Sequence, residues 1–480
     1  MLFSTPVFIF LFLPICLLAY YATGMSNAVL LIFSMIFYAW GEPVLIFVMI
    51  GSIVINYLFG LLIEKCTNKG FFNPKFFLVI GICSNLSLLI FYKYFTLLLP
   101  VINLFTSFVQ LPKIQEYHIP LLLGVSFFSF QAMSYLIDVY RGDYHAQKNI
   151  FKFALFKTLF PQLIAGPIIR YGEFGHQIDK RKHSSGLFIE GIEQFTIGLA
   201  KKVLIADVCA VSVDKMFEIP ITEISGSIAW VAVFLFALQI YFDFSGYTDM
   251  ALGLSKMFGF HFPPNFNYPY SALSIQDFWR RWHMTLSRWF RDYLYIPLGG
   301  SRKVEWRTAL NLLIVFFLCG LWHGANITFV VWGLFHGFFL AVERTRFRGW
   351  LETWPRLFRH VYVLIIILFS WMVFRSNTLG QAIGITKAMF GLYGWKNELH
   401  PLSLYVDTLT ILSVLFGLVF SFPIFRWIHA NFYSSLILRI AIGPICIAPI
   451  VRAASYIALL LVSYAFIGAQ THRAFIYFRF

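Results

Sequence analysis

NLLIVFFLCGLWHGANITFVVWGLFHGFFLAV, residues 311–342, holds no Asp, Glu, Lys or Arg in 32 positions. As one straight helix rising about 1.5 Å per residue it would be about 48 Å long, well beyond the roughly 30 Å of a bilayer's hydrocarbon core. The run therefore has to break. Gly320, Gly324 and Asn326 put the break at GLWHGAN, because glycine weakens a helix and asparagine favours a cap. His323 then lies about fifteen residues, on the order of 20 Å, from the basic boundary at Arg307, deep in the membrane. Histidine is the ionisable side chain that can stay neutral at such depth and still exchange a proton near neutral pH, which suits a general base for a hydroxyl. A histidine bonding across helices at a glycine contact is the competing explanation. His336, farther along the run, fits that second explanation better.

The rest of the chain has the same character. Of 480 residues 59% are hydrophobic, 20% aromatic and only 12% charged, outside the range of a water-soluble domain. Apolar runs recur near 5–23, 27–62, 76–97, 186–210, 226–244, 308–342, 357–375, 405–425 and 453–469. They predict an all-α polytopic membrane protein with about ten or more spanning helices. MLFSTPVFIFLFLPICLLAYYA at the start has no basic residue before its apolar run and no small-residue cleavage site after it, and reads as a retained helix. No low-complexity linker divides the chain, so residues 1–480 read as one integral membrane domain. LFPQLIAGPIIR (159–170), YFDFSGYTDMALG (241–253) and FHFPPNFNYPYSA (260–272) mix Pro, Gly and polar residues into apolar sequence and predict re-entrant pieces lining an internal chamber.

The formal charge of +15 is gathered in the joints between apolar runs, as in RYGEFGHQIDKRKH and ERTRFRGW. Such joints mark cytoplasmic loops and contacts with anionic lipid headgroups. None is long enough to make a nucleic-acid-binding module. Six cysteines without CxxC spacing indicate neither a disulfide framework nor a metal site.

One joint is exceptional: FWRRWHMTLSRWFRDYLYIPLGGSR, 278–302. At 100° per residue Phe278, Trp279, Trp282, Leu286, Trp289, Phe290 and Tyr293 share one arc, and Arg280, Arg281, Ser287, Arg288, Arg291 and Asp292 the other. That pattern predicts a single amphipathic helix at the membrane surface, ended by Pro297, Gly299 and Gly300. His283 lies on the border of the two faces, as a structural hydrogen-bonding residue or a second functional one.

The pair DFWRRWHMTLSRWFRDYLYIPLGGSR and GLWHGAN, with its two histidines 40 positions apart, resembles the membrane-bound O-acyltransferase family. The chain is most similar to its bacterial branch of alginate and peptidoglycan O-acetyltransferases and teichoic-acid D-alanyl transferases. PLLLGVSFFSFQAMSYLIDVYRGDY (120–144), FPQLIAGPIIRY (160–171), YFDFSGYTDMALG and SWMVFRS (370–376) also carry the likeness, which spans about residues 1–390. Residues 391–480 add apolar spans without a usable motif.

The resemblance implies helices and re-entrant segments around a central funnel, a catalytic His323, and His283 as a second functional histidine. It implies acetyl-coenzyme A as donor substrate, with no metal and no tightly bound cofactor. It further implies a multi-pass protein of the inner membrane, working toward an extracytoplasmic polysaccharide. Arg280, Arg281, Arg288 and Arg291 would attract the donor's phosphates, or anchor lipid phosphates instead, and Trp322 and Asn326 flank the histidine as further candidate donor-binding residues. A sequence with hardly any water-soluble surface offers no place for a long glycan. A periplasmic acetyltransferase partner is therefore expected to act on the polymer. The competing functions are D-alanyl transfer, and a proton-coupled transporter or flippase using Asp243 and Asp249.

Overall fold

The computed structural model describes the chain except for residues 71, 111, 113, 116–121, 123, 303, 425–446, 470–474 and 476–480. Among the described residues the regular structure is helical throughout. Six helices among the described residues are long and apolar enough to cross a membrane: α1 (Ile46–Lys69), the stretch Pro74–Phe108 that begins with α2 (Pro74–Leu89), α3 (Gly226–Met257), α6 (Glu305–His323), α8 (Arg356–Arg375) and Ile450–Ala469. A seventh is possible if α7 (Ile327–Val342) and Phe347–Thr353, bent by 79° at their joint, count as one span. Other apolar runs fold as shorter helices. The run 27–62 is cut by a turn at 42–45 into Asn27–Gly41 and α1, and the first run folds as Phe8–Ala22, its opening turn widened to a π-helix. Of the C-terminal spans expected over 391–480, residues 425–446 lie outside the described residues.

The chain packs as two units, residues 1–189 with 254–263, and residues 190–253 with 264–479. In the first, polar side chains are buried between apolar helices and satisfy each other, as the absence of water in a bilayer requires. Asn56 on α1 and Asn85 on α2 exchange amide bonds of 3.2 and 2.7 Å, and the buried Lys157 ammonium donates to Ser52 at 2.7 Å.

The second unit is organised by α3. YFDFSGYTDMALG, expected to be re-entrant, lies inside this one 32-residue helix. Its glycines serve close helix crossing instead of a break. A Cβ on Gly246 would sit 2.7 Å from the Gly198 carbonyl oxygen, and one on Gly198 2.5 Å from that of Gly246. Its acids are paired within the unit. Asp249 meets Lys201 at 2.7 Å, while Lys202, almost fully buried, lies 2.5 Å from Asp243 and 2.7 Å from Asp207. Removing one partner from such a buried cluster strands the others in low dielectric, at a cost of about 3–5 kcal/mol. Lys202→Met is therefore expected to lower the unfolding temperature of the detergent-solubilised protein by several degrees or to abolish its accumulation. A melting curve matching the wild type would contradict that account.

Next to this frame, α6 and α7 form an antiparallel pair joined at GLWHGAN, where the sequence predicts the break. The helices touch backbone to backbone. A Cβ on Gly320 would collide with the Phe329 carbonyl oxygen, and one on Gly333 with that of Phe316.

Candidate active site

The segment carrying His283 is not the continuous amphipathic helix that its periodicity predicts. It folds as α4 (Ile275–Arg281), α5 (Met284–Phe290) and a single π-turn over Arg291–Tyr295. Between the first two, Trp282 is extended and His283 has φ 41° and ψ 55°, in the left-handed region that non-glycine residues rarely enter. The cause is tertiary. Asn265 accepts the Met284 N–H on its backbone oxygen at 2.9 Å and the Thr285 N–H on its side-chain oxygen at 3.2 Å, so two amides that would continue a helix bond elsewhere. At its other end α4 is capped twice. Ser274 Oγ accepts from the Asp277 N–H, and the Glu343 carboxylate, just past the end of α7, accepts the Ile275 and Gln276 N–H groups at 2.7 and 2.9 Å.

His283 is 1% exposed. Its Nδ1 lies 3.0 Å from Asn265 Oδ1, and the Phe244 ring stands nearly perpendicular to it at 4.7 Å between centroids. Burial disfavours its charged form and lowers its pKa well below the ordinary histidine range. His323 is the last residue of α6, 6% exposed, where the chain turns extended at Gly324. Its ring stands nearly perpendicular to those of Trp332 and Phe374, at 4.9 and 5.3 Å. Trp322 neighbours both histidines, 6.1 Å from the His283 ring and 4.9 Å from that of His323. Residues 40 positions apart in sequence are thus gathered around one indole.

His336 is fully buried, takes the Trp279 indole N–H on Nδ1 at 3.2 Å and lies 5.1 Å from the Trp332 ring. Its Nδ1 is committed to a structural bond, as its place in the sequence suggests.

The other sequence candidates separate in space. Arg280 and Arg291 line a cavity of about 180 Å³ together with Arg344, Gln276 and Ser287, with apolar walls that include Trp279, Phe316 and Cys319. Cys319 is one helical turn before His323 on α6. Arg291 also pairs with Asp292 at 2.5 Å, Arg281 pairs with Asp277 at 2.9 Å, and Arg288 is half-buried on α5 and does not line the cavity. Asn326 caps α7 by accepting the Thr328 N–H at 3.1 Å and donates to the Asn377 carbonyl at 2.6 Å. Sequence reasoning missed Asn265 and Arg344. The first stands in a stretch singled out only for its irregularity, the second in a basic joint assigned to lipid contact. Among the described residues, no three His, Cys, Asp or Glu side chains gather to hold a metal ion.

The stretch that carries both buried histidines matches known proteins at the level of sequence. Residues 91–379, which include both histidines, match the membrane-bound O-acyltransferase family. The chain belongs to that family. It is 38% identical to the probable alginate O-acetylase AlgI of Pseudomonas putida over the whole of both chains. It is 34% identical to the peptidoglycan O-acetyltransferase of Helicobacter pylori over the whole of this chain and 98% of that one. To the teichoic acid D-alanyltransferase of Bacillus subtilis it is 29% identical, over 52% of this chain and 67% of the relative. The protein is an O-acyltransferase of the membrane.

Proposed function

We propose that this O-acyltransferase takes an acetyl group from acetyl-coenzyme A at the cytoplasmic face of the inner membrane and passes it outward for O-acetylation of an extracytoplasmic polysaccharide of the alginate or peptidoglycan kind. A periplasmic acetyltransferase partner completes the transfer to polymer. His323 is the general base. It removes the proton of the acceptor hydroxyl as that oxygen attacks the thioester carbonyl, an ester bond forms, the C–S bond breaks, and the proton leaves on the coenzyme thiol. His283 acts beside it.

The observation that carries the reading is the burial of His323 among Trp322, Trp332 and Phe374 at the end of a spanning helix, where bulk water cannot compete for the acyl group. Acetyl rather than D-alanyl transfer is favoured by full-length likeness to the two O-acetylating relatives, against about half the chain for the D-alanyl one. The cavity bearing Arg280, Arg291 and Arg344 is the entry for the donor's phosphates, its apolar walls leading toward Cys319.

Liposomes holding the purified protein, with labelled acetyl-coenzyme A on one side and polymer on the other, test this reading. Free coenzyme thiol is expected to appear, and label to reach polymer only when the partner is added. Labelled polymer without a second protein would remove the relay, and no thiol release would remove the donor. In the same assay, Arg280→Gln with Arg291→Gln should raise the half-saturating donor concentration about tenfold and flatten its dependence on salt. An unchanged donor affinity would return both arginines to lipid anchoring.

A further inference from the structure

Asn265 stands in the irregular stretch before α4 and is 1% exposed. A backbone N–H is a donor and nothing else, so the side-chain atom that faces the Thr285 N–H at 3.2 Å is the carboxamide oxygen. The Thr285 hydroxyl donates to the same oxygen at 2.9 Å. His283 Nδ1 lies 3.0 Å from it as well. An amide oxygen only accepts, which places the imidazole proton on Nδ1 and leaves the lone pair on Nε2. The histidine so held is in a left-handed backbone conformation, which a residue with a side chain keeps only where its surroundings enforce it. The enforcing contacts are again those of Asn265, through the Met284 and Thr285 amides.

We infer that Asn265 is a positioning residue for acyl transfer: it holds His283 as the Nδ1–H tautomer and so makes Nε2 the atom through which His283 meets a substrate hydroxyl. The inference rests on the reading above, in which His283 takes part in the reaction. Its role is that of the groups which fix a metal-bound imidazole by bonding its other nitrogen, whose loss typically slows or weakens those sites about 10- to 100-fold, and a loss of the same order is expected here. A residue that merely closed a turn would hold the backbone of 283–285 and leave the ring proton unassigned.

Two readouts on the full-length protein in lipid nanodiscs separate these roles. In protein labelled with ¹⁵N-histidine, the His283 resonances are those missing from His283→Gln. They are expected to show a protonated Nδ1 and a bare Nε2 in the wild type and in Asn265→Asp, which keeps the acceptor. In Asn265→Ala, which keeps the backbone bond to Met284, the single tautomer should be lost. Acetyl release from acetyl-coenzyme A, per amount of folded protein, should fall about 10- to 100-fold in Asn265→Ala and recover in large part in Asn265→Asp. If Asn265→Ala does not accumulate, Asn265→Ser, whose hydroxyl is too short to reach Nδ1, is read in its place.

An unaltered Nδ1–H tautomer in Asn265→Ala overturns the inference. So does a wild-type rate in that variant while His283→Gln is slow. Wild-type transfer by His283→Gln is a different failure: it removes His283 from the reaction, and the tautomer in Asn265→Ala still decides whether Asn265 sets the proton.

Discussion

His323→Ala is expected to abolish acyl transfer while the protein still inserts and accumulates. A general base is worth about 10² to 10⁴ in rate, and in a site that excludes water no solvent species can substitute for it. The structural cost should be small by comparison. The imidazole ends α6, and the backbone there is held by the Gly320 and Gly333 contacts and by the Asn326 cap, none of which uses the His323 side chain. Polymer acylation in cells and thiol release from purified protein should therefore both fall at least a hundredfold, with membrane abundance near that of the wild type. Acylation at the wild-type level by a well-expressed variant would show that the base is elsewhere.

The second large effect belongs to a methyl group. Gly333→Ala puts a Cβ into the Phe316 carbonyl oxygen, and Gly320→Ala puts one into that of Phe329. The obstacles are backbone atoms, which cannot swing aside as a side-chain tip can. The helices must part. Overpacking of this kind costs about 1–3 kcal/mol, and with backbone on both sides the upper end is expected. Parting also displaces the His323 ring from Trp332, the residue next to Gly333. A misplacement of about 1 Å in an active site can cost on the order of a hundredfold in rate. Gly333→Ala should thus show both a lower unfolding temperature and a loss of about a hundredfold in transfer per folded molecule. Gly349→Ala, where an added methyl meets nothing within 4 Å, is the matched control and should change neither. Equal activity for the two variants would mean that the α6–α7 contact does not set the site.

The break at GLWHGAN is legible in the sequence because two independent cues agree, a run too long for the membrane and a cluster of residues unfit for helix interiors. At YFDFSGYTDMALG the same cue misleads. Gly246 there faces Gly198 across a helix crossing, and Asp243 and Asp249 are balanced by Lys202 and Lys201. No local pattern distinguishes a glycine that bends a helix from one that admits another helix. The interruption at His283 is illegible for a different reason. Hydrophobic periodicity records which way side chains face, and short helices laid end to end preserve it while two amides defect to Asn265. Arginines had the same ambiguity, since charge at a membrane joint serves a lipid or a ligand alike. Arg280 and Arg291 border the cavity and Arg281 does not.

The bond from Glu343 to the start of α4 has a consequence for how the protein is made. Ile275 and Gln276 leave the ribosome 68 and 67 residues ahead of the carboxylate that receives their amides. At about 5–20 residues per second, that is roughly 3–14 s of synthesis. For that interval the nascent segment carrying His283 lacks one of its two anchors, while α6 and α7 have yet to be inserted. A ribosome stalled before codon 343 would hold a chain with His283 and His323 translated and α4 still without its Glu343 cap. The second cap of α4 can therefore form only once the whole of α7 has been translated.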